Sequence, residues 1–445
     1  MSISQMRQDD PALPQKQSEN TDLNEYENTP VPLSARKSLF SVSAVWLGFP
    51  MIMTCAIFGG LIVHSLGFAQ GMLAIAIGSA ILMAYVGALS YIAGRSGKSF
   101  ALTAAETFGD RGFRVVAGLL STLVIGWFAF QTGMVGVVLN TTLGWNEQLL
   151  TLIAGILFVA LTLVGIRALT AIGLVAAPLY IVLGIVAIML ALTQTSTSLW
   201  KFQGDPTGAL GMGAAITLVV ASFIDSGTMT ADFTRWSKNG KEGVLATLAA
   251  FPFGIGIAMV IGGVIVALGA NATPGTDGGN FLGVLVEAGG LLVPLAVLFV
   301  FVNLGSVCAH CLYNGAVGWA NLTGHKMRTL ALVLGAIGVV AAVAGIWTLF
   351  EQWLNLLGVI VPPIGVIIIL DQLVLKRRDL TTSGYRSSAF LAWAIAAAAA
   401  LAVHFFLPVL SDAVVAMVVA AIAYWALSTK RTTGAVETSS IAHSS

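Results

Sequence analysis

Residues 288–325 contain no Asp, Glu, Lys or Arg. A water-soluble fold does not build a surface from an uncharged run of that length. A bilayer core, by contrast, needs about 20 apolar residues per helix. The rest of the chain follows the same pattern, with charges gathered in short clusters and long apolar runs between them. Over all 445 residues 57% are hydrophobic and 9% are charged, against about 25% charged in soluble domains. That is too little polar surface to cover a globule. A soluble enzyme, a nucleic-acid binder and a disordered protein are excluded, and an all-α polytopic membrane protein remains. The net charge of +1 favours no partner by bulk electrostatics. Cys55, Cys308 and Cys311 all lie in apolar stretches, unlike the cysteines of a secreted disulfide scaffold.

Dividing the body at its charged or Gly/Pro-rich loops predicts twelve transmembrane spans: 42–66, 72–94, 115–139, 148–166, 168–192, 209–232, 243–269, 289–317, 328–348, 351–373, 388–407 and 410–427. The fourth and fifth are separated by Arg167 alone. Residues 1–41 read as a polar, disordered cytoplasmic tail. No apolar core precedes their acidic residues, so they do not read as a signal peptide. Residues 428–445 are Ser/Thr-rich and also read as a disordered cytoplasmic tail.

Basic residues favour cytoplasmic loops. With the N-terminus inside, this span count places 20 of the 21 Lys and Arg residues inside, leaving Lys201 outside. A count wrong by one helix would scramble that split. The expectation is a multi-pass protein of the plasma (inner) membrane with both termini cytoplasmic.

Two spans carry helix breakers near their centres. The first reads Gly48-Phe49-Pro50 and then Gly59-Gly60. Proline removes a backbone donor and disfavours the helical region at the residue before it. The sixth reads Ser222-Phe223-Ile224-Asp225-Ser226-Gly227-Thr228. These spans run in opposite directions, five helices apart. Interrupted spans at corresponding positions of two oppositely oriented halves indicate an inverted-repeat secondary transporter with its ligand at the midplane. The expected division is a first repeat over 42–192, a second over 193–373, and two further helices over 374–427.

Polar residues inside the membrane mark the candidate site. Asp225 is the sharpest, since a mid-span acid costs about 2.5–3.5 kcal/mol to insert and is functional by default. It is a candidate hydrogen-bond acceptor for a substrate, a candidate proton carrier, or both. Asp232, beside Arg235, and Asp371, beside Lys376–Arg378, read as interfacial pairs or caps. Trp127 and Gln131 stand at i and i+4 and share a helix face. An indole face beside an amide suits a planar heteroaromatic ligand. The eighth span, Asn303-Leu304-Gly305-Ser306-Val307-Cys308-Ala309-His310-Cys311, is too polar for a lipid-facing helix, and His310 is a second proton-carrier candidate. Cys308 and Cys311 around His310 look like a metal motif. No fourth ligand is evident, however, and Cys in an apolar helix behaves as a small hydrophobe.

With these features in hand, the chain resembles the nucleobase–cation symporter family, and its bacterial cytosine-permease branch in particular. The resemblance rests on Pro30-Val31-Pro32-Leu33-Ser34-Ala35-Arg36-Lys37, Gly126-Trp127-Phe128 and Gly227-Thr228-Met229-Thr230-Ala231-Asp232-Phe233-Thr234-Arg235. It extends through Ala320-Asn321-Leu322-Thr323-Gly324 and Pro362-Pro363-Ile364-Gly365 to Asp371-Gln372-Leu373, in one register over roughly residues 30–430. It implies five-plus-five inverted repeats with broken helices 1 and 6, two extra C-terminal helices, and alternating access. It also implies a planar base held between Trp127 and Phe223, and sodium between Ile52 and Cys55 of helix 1 and Asn303 and Ser306 of helix 8.

The chain departs from that pattern at several positions. Val124 replaces a glutamine, Asp225 a serine, Cys308-Ala309-His310 an Asn-Asp-Asn run, and Val307 a hydroxyl on the sodium side. Two expectations follow from these changes. The ligand edge facing helix 6 carries donors, because a carboxylate accepts two hydrogen bonds, and Asp225 or His310 couples transport to protons in place of sodium. The substrate-binding candidates are then Trp127, Gln131, Phe223, Asp225, Cys308 and His310. The leading function is a cation-coupled symporter for a nucleobase such as cytosine or a related aminopyrimidine or purine, with no cofactor beyond sodium or a proton. A permease for hydroxymethylpyrimidine or another small cationic ligand is the alternative. A membrane-embedded metal enzyme using Cys308, His310 and Cys311 is the reading from a different class.

Overall fold

The computed structural model describes residues 26, 28–194, 198–205, 210–376 and 382–441. Regular structure among them is helical throughout, apart from one isolated bridge between Lys37 and Ser237. The first span is α1 (Leu39–Gly48) and α2 (Met53–Leu66), bent by 58°. Pro50 lies in the gap and Ile52 is extended at φ −121°, ψ 155°, so the helical ladder cannot run through. Next come α3 (Phe68–Ser96), the short α4 (Phe100–Phe108), α5 (Phe113–Leu143), α6 (Glu147–Leu163) and α7 (Ile166–Gln194).

The sixth span is split three ways, into α8 (Met212–Ala221), α9 (Ile224–Thr228) and α10 (Ala231–Thr234). The seventh is α11 (Gly240–Leu248) and α12 (Ile255–Ala267), interrupted at Pro252 with Phe251 non-helical. The short α13 (Pro274–Asp277) and α14 (Leu282–Glu287) precede α15 (Leu292–Thr323) and α16 (Met327–Val343). The tenth span is α17 (Phe350–Ile360) and α18 (Pro362–Ile369), followed by α19 (Ser387–Phe406) and α20 (Asp412–Ile441).

Each of the twelve expected spans overlaps one of these helices or broken series. Among the described residues, eight helices are long and apolar enough to cross a bilayer, and the bent pair α1–α2 makes a ninth. The helices α6, α8 and α16 are apolar but shorter. The protein is therefore a multi-pass, all-helical membrane protein.

Several boundaries differ from those read in the sequence. The break between α6 and α7 falls at Gly165, where φ is +84°, and Arg167 sits inside α7. Only glycine adopts that conformation without strain. The eighth span starts at Leu292 because Gly289 and Gly290 are both left-handed. The N-terminal tail does not extend to 41. Ser38 caps α1 by accepting from the Ser41 N–H at 3.3 Å, and residues 28–37 form an ordered strap. The positions before 26 lie outside the described residues. The last helix continues to Ile441, past the limit drawn at 427, and 442–445 lie outside the described residues.

At the core, α15 lies along α5, α2 along α12, and α1 along α7. The α2–α12 crossing is close enough to require glycine. A Cβ on Gly59 would overlap the Met259 backbone, and one on Gly262 would overlap the Ala56 carbonyl. Small residues let helix backbones approach where lipid supplies no hydrophobic drive between them. Large apolar side chains such as Ile156, Val340 and Phe406 are exposed on the outside, where acyl chains would cover them.

The strap, α4 and the C-terminal end of α15 share one side of the molecule, the tail side. It is closed by polar contacts. Arg36 donates from Nη1 to the Gly94 carbonyl at 2.6 Å and to the Ser237 carbonyl at 3.1 Å. The Lys37 N–H donates to the Trp236 carbonyl at 2.7 Å. Asp232 does not simply pair within its own helix: its Oδ1 accepts from the Phe100 N–H at 3.0 Å and caps α4. Asp371 takes Arg386 as its partner, with both carboxylate oxygens 2.9 Å from Nη1. Tyr424 donates to the same carboxylate at 2.8 Å. Arg386 Nη2 also donates to the Glu106 carbonyl at 2.8 Å, and Lys98 pairs with Glu106. Of the basic run expected beside Asp371, Arg377 and Arg378 lie outside the described residues.

Candidate functional site

The interrupted first and sixth spans face one small cavity. Its walls include Phe49, Ile52, Thr54 and Cys55 from the first span, and Trp127 and Gln131 from α5. Ser222, Phe223 and Ser226 come from the sixth, and Val307 and Cys311 from α15. Its free volume is about 10 Å³, room for roughly one water. A planar base does not fit until the walls move apart.

Trp127 and Phe223 both line this space. Trp127 packs edge-on against Phe130 and Phe350, at centroid distances of 5.9 and 5.4 Å. Phe223 meets Phe49 edge-on at 5.1 Å. Phe223 sits in the break itself, at φ −141°, ψ 14°, so its ring is placed by the interruption of the helix. Gln131 accepts from the Thr54 hydroxyl at 2.7 Å. In this orientation of the amide Nε2 has no partner.

Asp225 is fully buried just behind the wall. Its Oδ1 accepts from the Ser226 N–H at 2.7 Å. Its Oδ2 has no hydrogen-bond partner. The Trp127 indole N–H and the Ser226 hydroxyl face the carboxyl, although the indole falls short of hydrogen-bond geometry. The Cys311 thiol is also a neighbour. A buried polar atom without a partner is costly unless something else satisfies it. Here three such atoms, Asp225 Oδ2, Trp127 Nε1 and Gln131 Nε2, belong to residues at the cavity or bordering it.

Two sequence candidates sit elsewhere. The Cys308 thiol turns toward α5, 3.5 Å from Thr132 Oγ1 and 3.8 Å from the Phe128 carbonyl. Cys308 and Cys311 stand at i and i+3 of one continuous helix, yet Cys311 lines the cavity and Cys308 does not. His310 donates from Nδ1 to the Ser306 carbonyl at 2.6 Å. It packs under Phe49 at 5.0 Å and against Phe233 at 5.5 Å, outside the cavity wall. Among the described residues, no three His, Cys, Asp or Glu side chains converge as metal ligands.

Asn303 and Ser306 of α15 reach the helix 1 break. Asn303 Oδ1 accepts from the Met53 N–H at 2.8 Å, and its Nδ2 donates to the Met51 carbonyl at 2.5 Å. The Ser306 hydroxyl donates to the Gly48 carbonyl at 3.2 Å. The Ile52 carbonyl accepts from the Cys55 N–H at 2.9 Å. The Asn303 and Ser306 side chains are thus engaged by the broken helix, and Val307 brings no oxygen.

A second, larger space of about 590 Å³ lies on the side away from the tail. Leu61, His64, Asp205, Leu218, His404 and Asp412 are among its walls. Phe58 lines both spaces. Between them Phe350 is stacked on Phe130 at 3.8 Å and on Phe58 at 5.7 Å, both at 11°. Phe58, Phe130, Phe350 and Thr54 were not singled out in the sequence. Thr54, a lone hydroxyl beside the Pro50 break, carried a usable signal. An aromatic among many carries none.

A buried cavity between two interrupted spans of a multi-pass protein, reached from one side through an aromatic wall, defines a membrane permease of the broken-helix type. Residues 30–427 match the family described as "Permease for cytosine/purines, uracil, thiamine, allantoin", and the chain belongs to that family. The chain is 32% identical over 355 residues to the cytosine permease of Escherichia coli, covering 80% of this chain and 82% of that one. It is 26% identical over 363 residues to the hydantoin permease of Microbacterium maritypicum, covering 77% and 74%. Among solved structures, it superposes on a nucleobase–cation symport-1 family transporter in a closed conformation with bromovinylhydantoin bound. The TM-score is 0.75 at 22% identity, covering 91% of this chain and 94% of the other. A Na+-coupled sialic acid symporter in an outward-open state gives a TM-score of 0.64 at 14% identity, covering 87% and 89%. These two likenesses concern the fold.

Proposed function

We propose that the protein is a cation-coupled symporter that imports a nucleobase-like heterocycle carrying an amino group, by alternating access. The observation that carries this reading is the placement of Trp127, Gln131 and Phe223 on one cavity at the breaks of the first and sixth spans, with Asp225 just behind its wall. The base lies between the Trp127 and Phe223 rings, where stacking contributes about 1–3 kcal/mol. Gln131 Nε2 donates to a ring carbonyl or nitrogen, and Asp225 receives the amino edge. Cys308 and His310 support the site from behind. The proposed cation positions are Ile52, Cys55, Asn303 and Ser306.

In this reading residues 42–192 and 193–373 are the two inverted repeats, with the helices of 374–427 outside them. The tail side is cytoplasmic in the plasma membrane, which follows the distribution of Lys and Arg. The large space then faces outward and Phe350 stands between it and the ligand. Family membership among permeases leaves no role for the metal-enzyme reading of Cys308, His310 and Cys311. Asp225 also favours a second reading, a hydroxymethylpyrimidine or small cationic ligand paired with its carboxylate.

A thermal-shift screen of purified protein tests the proposal, because a ligand that binds the folded state raises its melting temperature by mass action. Cytosine, adenine and an aminopyrimidine are expected to stabilise the protein, and uracil, which has no amino group, to do so less. Stabilisation by none of the amino-bearing heterocycles would overturn the reading.

A further inference from the structure

We infer that Asp225 is the coupling group itself, binding proton and substrate as one unit through a two-point pairing of a neutral carboxylic acid with an amidine edge. The inference rests on the substrate reading above and, in place of a cation at Ile52, Cys55, Asn303 and Ser306, makes a proton on Asp225 the coupled cation.

The geometry sets the two atoms of the carboxyl apart. Oδ1 is held by the Ser226 N–H at 2.7 Å and keeps a second lone pair. Oδ2 is buried and has no partner. A ring nitrogen next to an exocyclic amine presents one acceptor beside one donor. An ionised carboxylate offers only acceptors, so its second oxygen would face the ring nitrogen lone pair. A protonated carboxyl matches both points: Oδ2–H donates to the ring nitrogen and Oδ1 accepts from the amine. A proton from the outer solution is taken up at Oδ2, travels with the bound base, and returns to water when the site opens on the other side. One proton moves with each substrate, and no covalent bond is made or broken apart from O–H.

The surroundings suit this role. The groups facing the carboxyl are the Ser226 hydroxyl, the Trp127 indole from α5 and the Cys311 thiol from α15. One turn along, Tyr85 of α3 hydrogen-bonds Thr228 at 2.6 Å. No Lys, Arg or His is among these groups, and none of them supplies a fixed positive charge in place of the proton.

The test measures cytosine binding to the purified full chain, and uptake into proteoliposomes carrying an internal pH dye, with sodium present or replaced by choline. Above the titration midpoint the apparent Kd is expected to rise about tenfold per pH unit, since one proton is linked to binding, and to be flat below it. Cytosine addition acidifies the lumen in either salt. Asp225→Asn places an N–H and a C=O where the neutral acid has O–H and C=O. It is expected to bind cytosine with a pH-independent Kd and to support exchange, without lumen acidification or concentrative uptake. A wild-type Kd that stays flat from about pH 5 to about pH 8, or uptake that needs sodium and moves no proton, overturns the inference while the substrate reading stands. Failure of wild-type protein to bind any amino-bearing heterocycle at any pH overturns both. The wild-type arms decide the question even if Asp225→Asn does not fold.

Discussion

Asn303 and Met53 are joined across 250 residues of sequence by a hydrogen bond of 2.8 Å, from the Met53 N–H to the Asn303 Oδ1. The same carboxamide donates to the Met51 carbonyl. Pro50 and the extended Ile52 remove backbone partners at this point, and one side chain of α15 restores an acceptor and a donor together. The amide orientation is fixed, because reversing it would face N–H with N–H. Replacing Asn303 by Leu, of similar size, leaves a buried N–H and a buried C=O unpaired, at about 1–3 kcal/mol each. Ser306→Ala removes only a hydroxyl donor to the Gly48 carbonyl, at about 1 kcal/mol. Melting temperatures in detergent should therefore fall further for Asn303→Leu than for Ser306→Ala, and the reverse order would contradict this assignment.

Phe350 separates the small cavity from the large one by stacking between Phe130 and Phe58. Aromatic pairs of this kind are worth about 0.5–1.5 kcal/mol each beyond area burial. Phe350→Ala should raise the population of open forms by about tenfold for each 1.4 kcal/mol lost. Cys55 and Cys311 line the cavity while Cys308 faces α5. Alkylation from the side away from the tail should speed up at Cys55 and Cys311 and leave Cys308 unchanged, as read by mass spectrometry. Equal acceleration at all three would indicate general loosening.

Trp127 lines the cavity. Trp127→Ala should weaken binding by about 1–3 kcal/mol, the range seen for base-stacking side chains. Trp127→Phe keeps a ring and loses the N–H near Asp225, so most of the affinity should remain. Binding isotherms for cytosine distinguish the two, and an affinity unchanged in the Ala variant would remove Trp127 from the site.

Asp371 and Arg386 form a buried pair with Tyr424. Removing one partner of such a pair strands the other charge and costs about 3–5 kcal/mol. Asp371→Asn should lower the melting temperature strongly, and Tyr424→Phe only slightly. The double variant Asp371→Leu with Arg386→Met should recover part of the loss, because an apolar pair removes the stranded charge. No recovery would place the importance of Arg386 in its bond to the Glu106 carbonyl.

Span positions and both helix breaks were legible in the sequence, because apolar length and Pro50 act locally. Trp127, Phe223 and Gln131 were legible for a similar reason: helical spacing and placement at a break put them on the cavity. Cys308 and His310 were misplaced because polarity marks a buried helix without saying which face meets the ligand. The bond between Cys308 and α5 depends on how two helices are rotated against each other. Asp371 was assigned to the nearest charges along the chain, whereas its partner arrives from the start of α19, which only the packing of α18, α19 and α20 brings near. The Phe58–Phe350–Phe130 stack draws on three separate spans, and none of its members differs in sequence context from a lipid-facing phenylalanine.

The cavity between the breaks holds about one water, and this has a consequence for affinity. A ligand must find the protein already expanded or expand it on arrival. The measured Kd is then the intrinsic constant divided by the fraction of molecules with room for a ring. Variants that loosen the walls without touching the binding groups would bind the base more tightly than the natural protein and carry it more slowly. In this chain tight binding and fast transport draw on the same closed state in opposite directions.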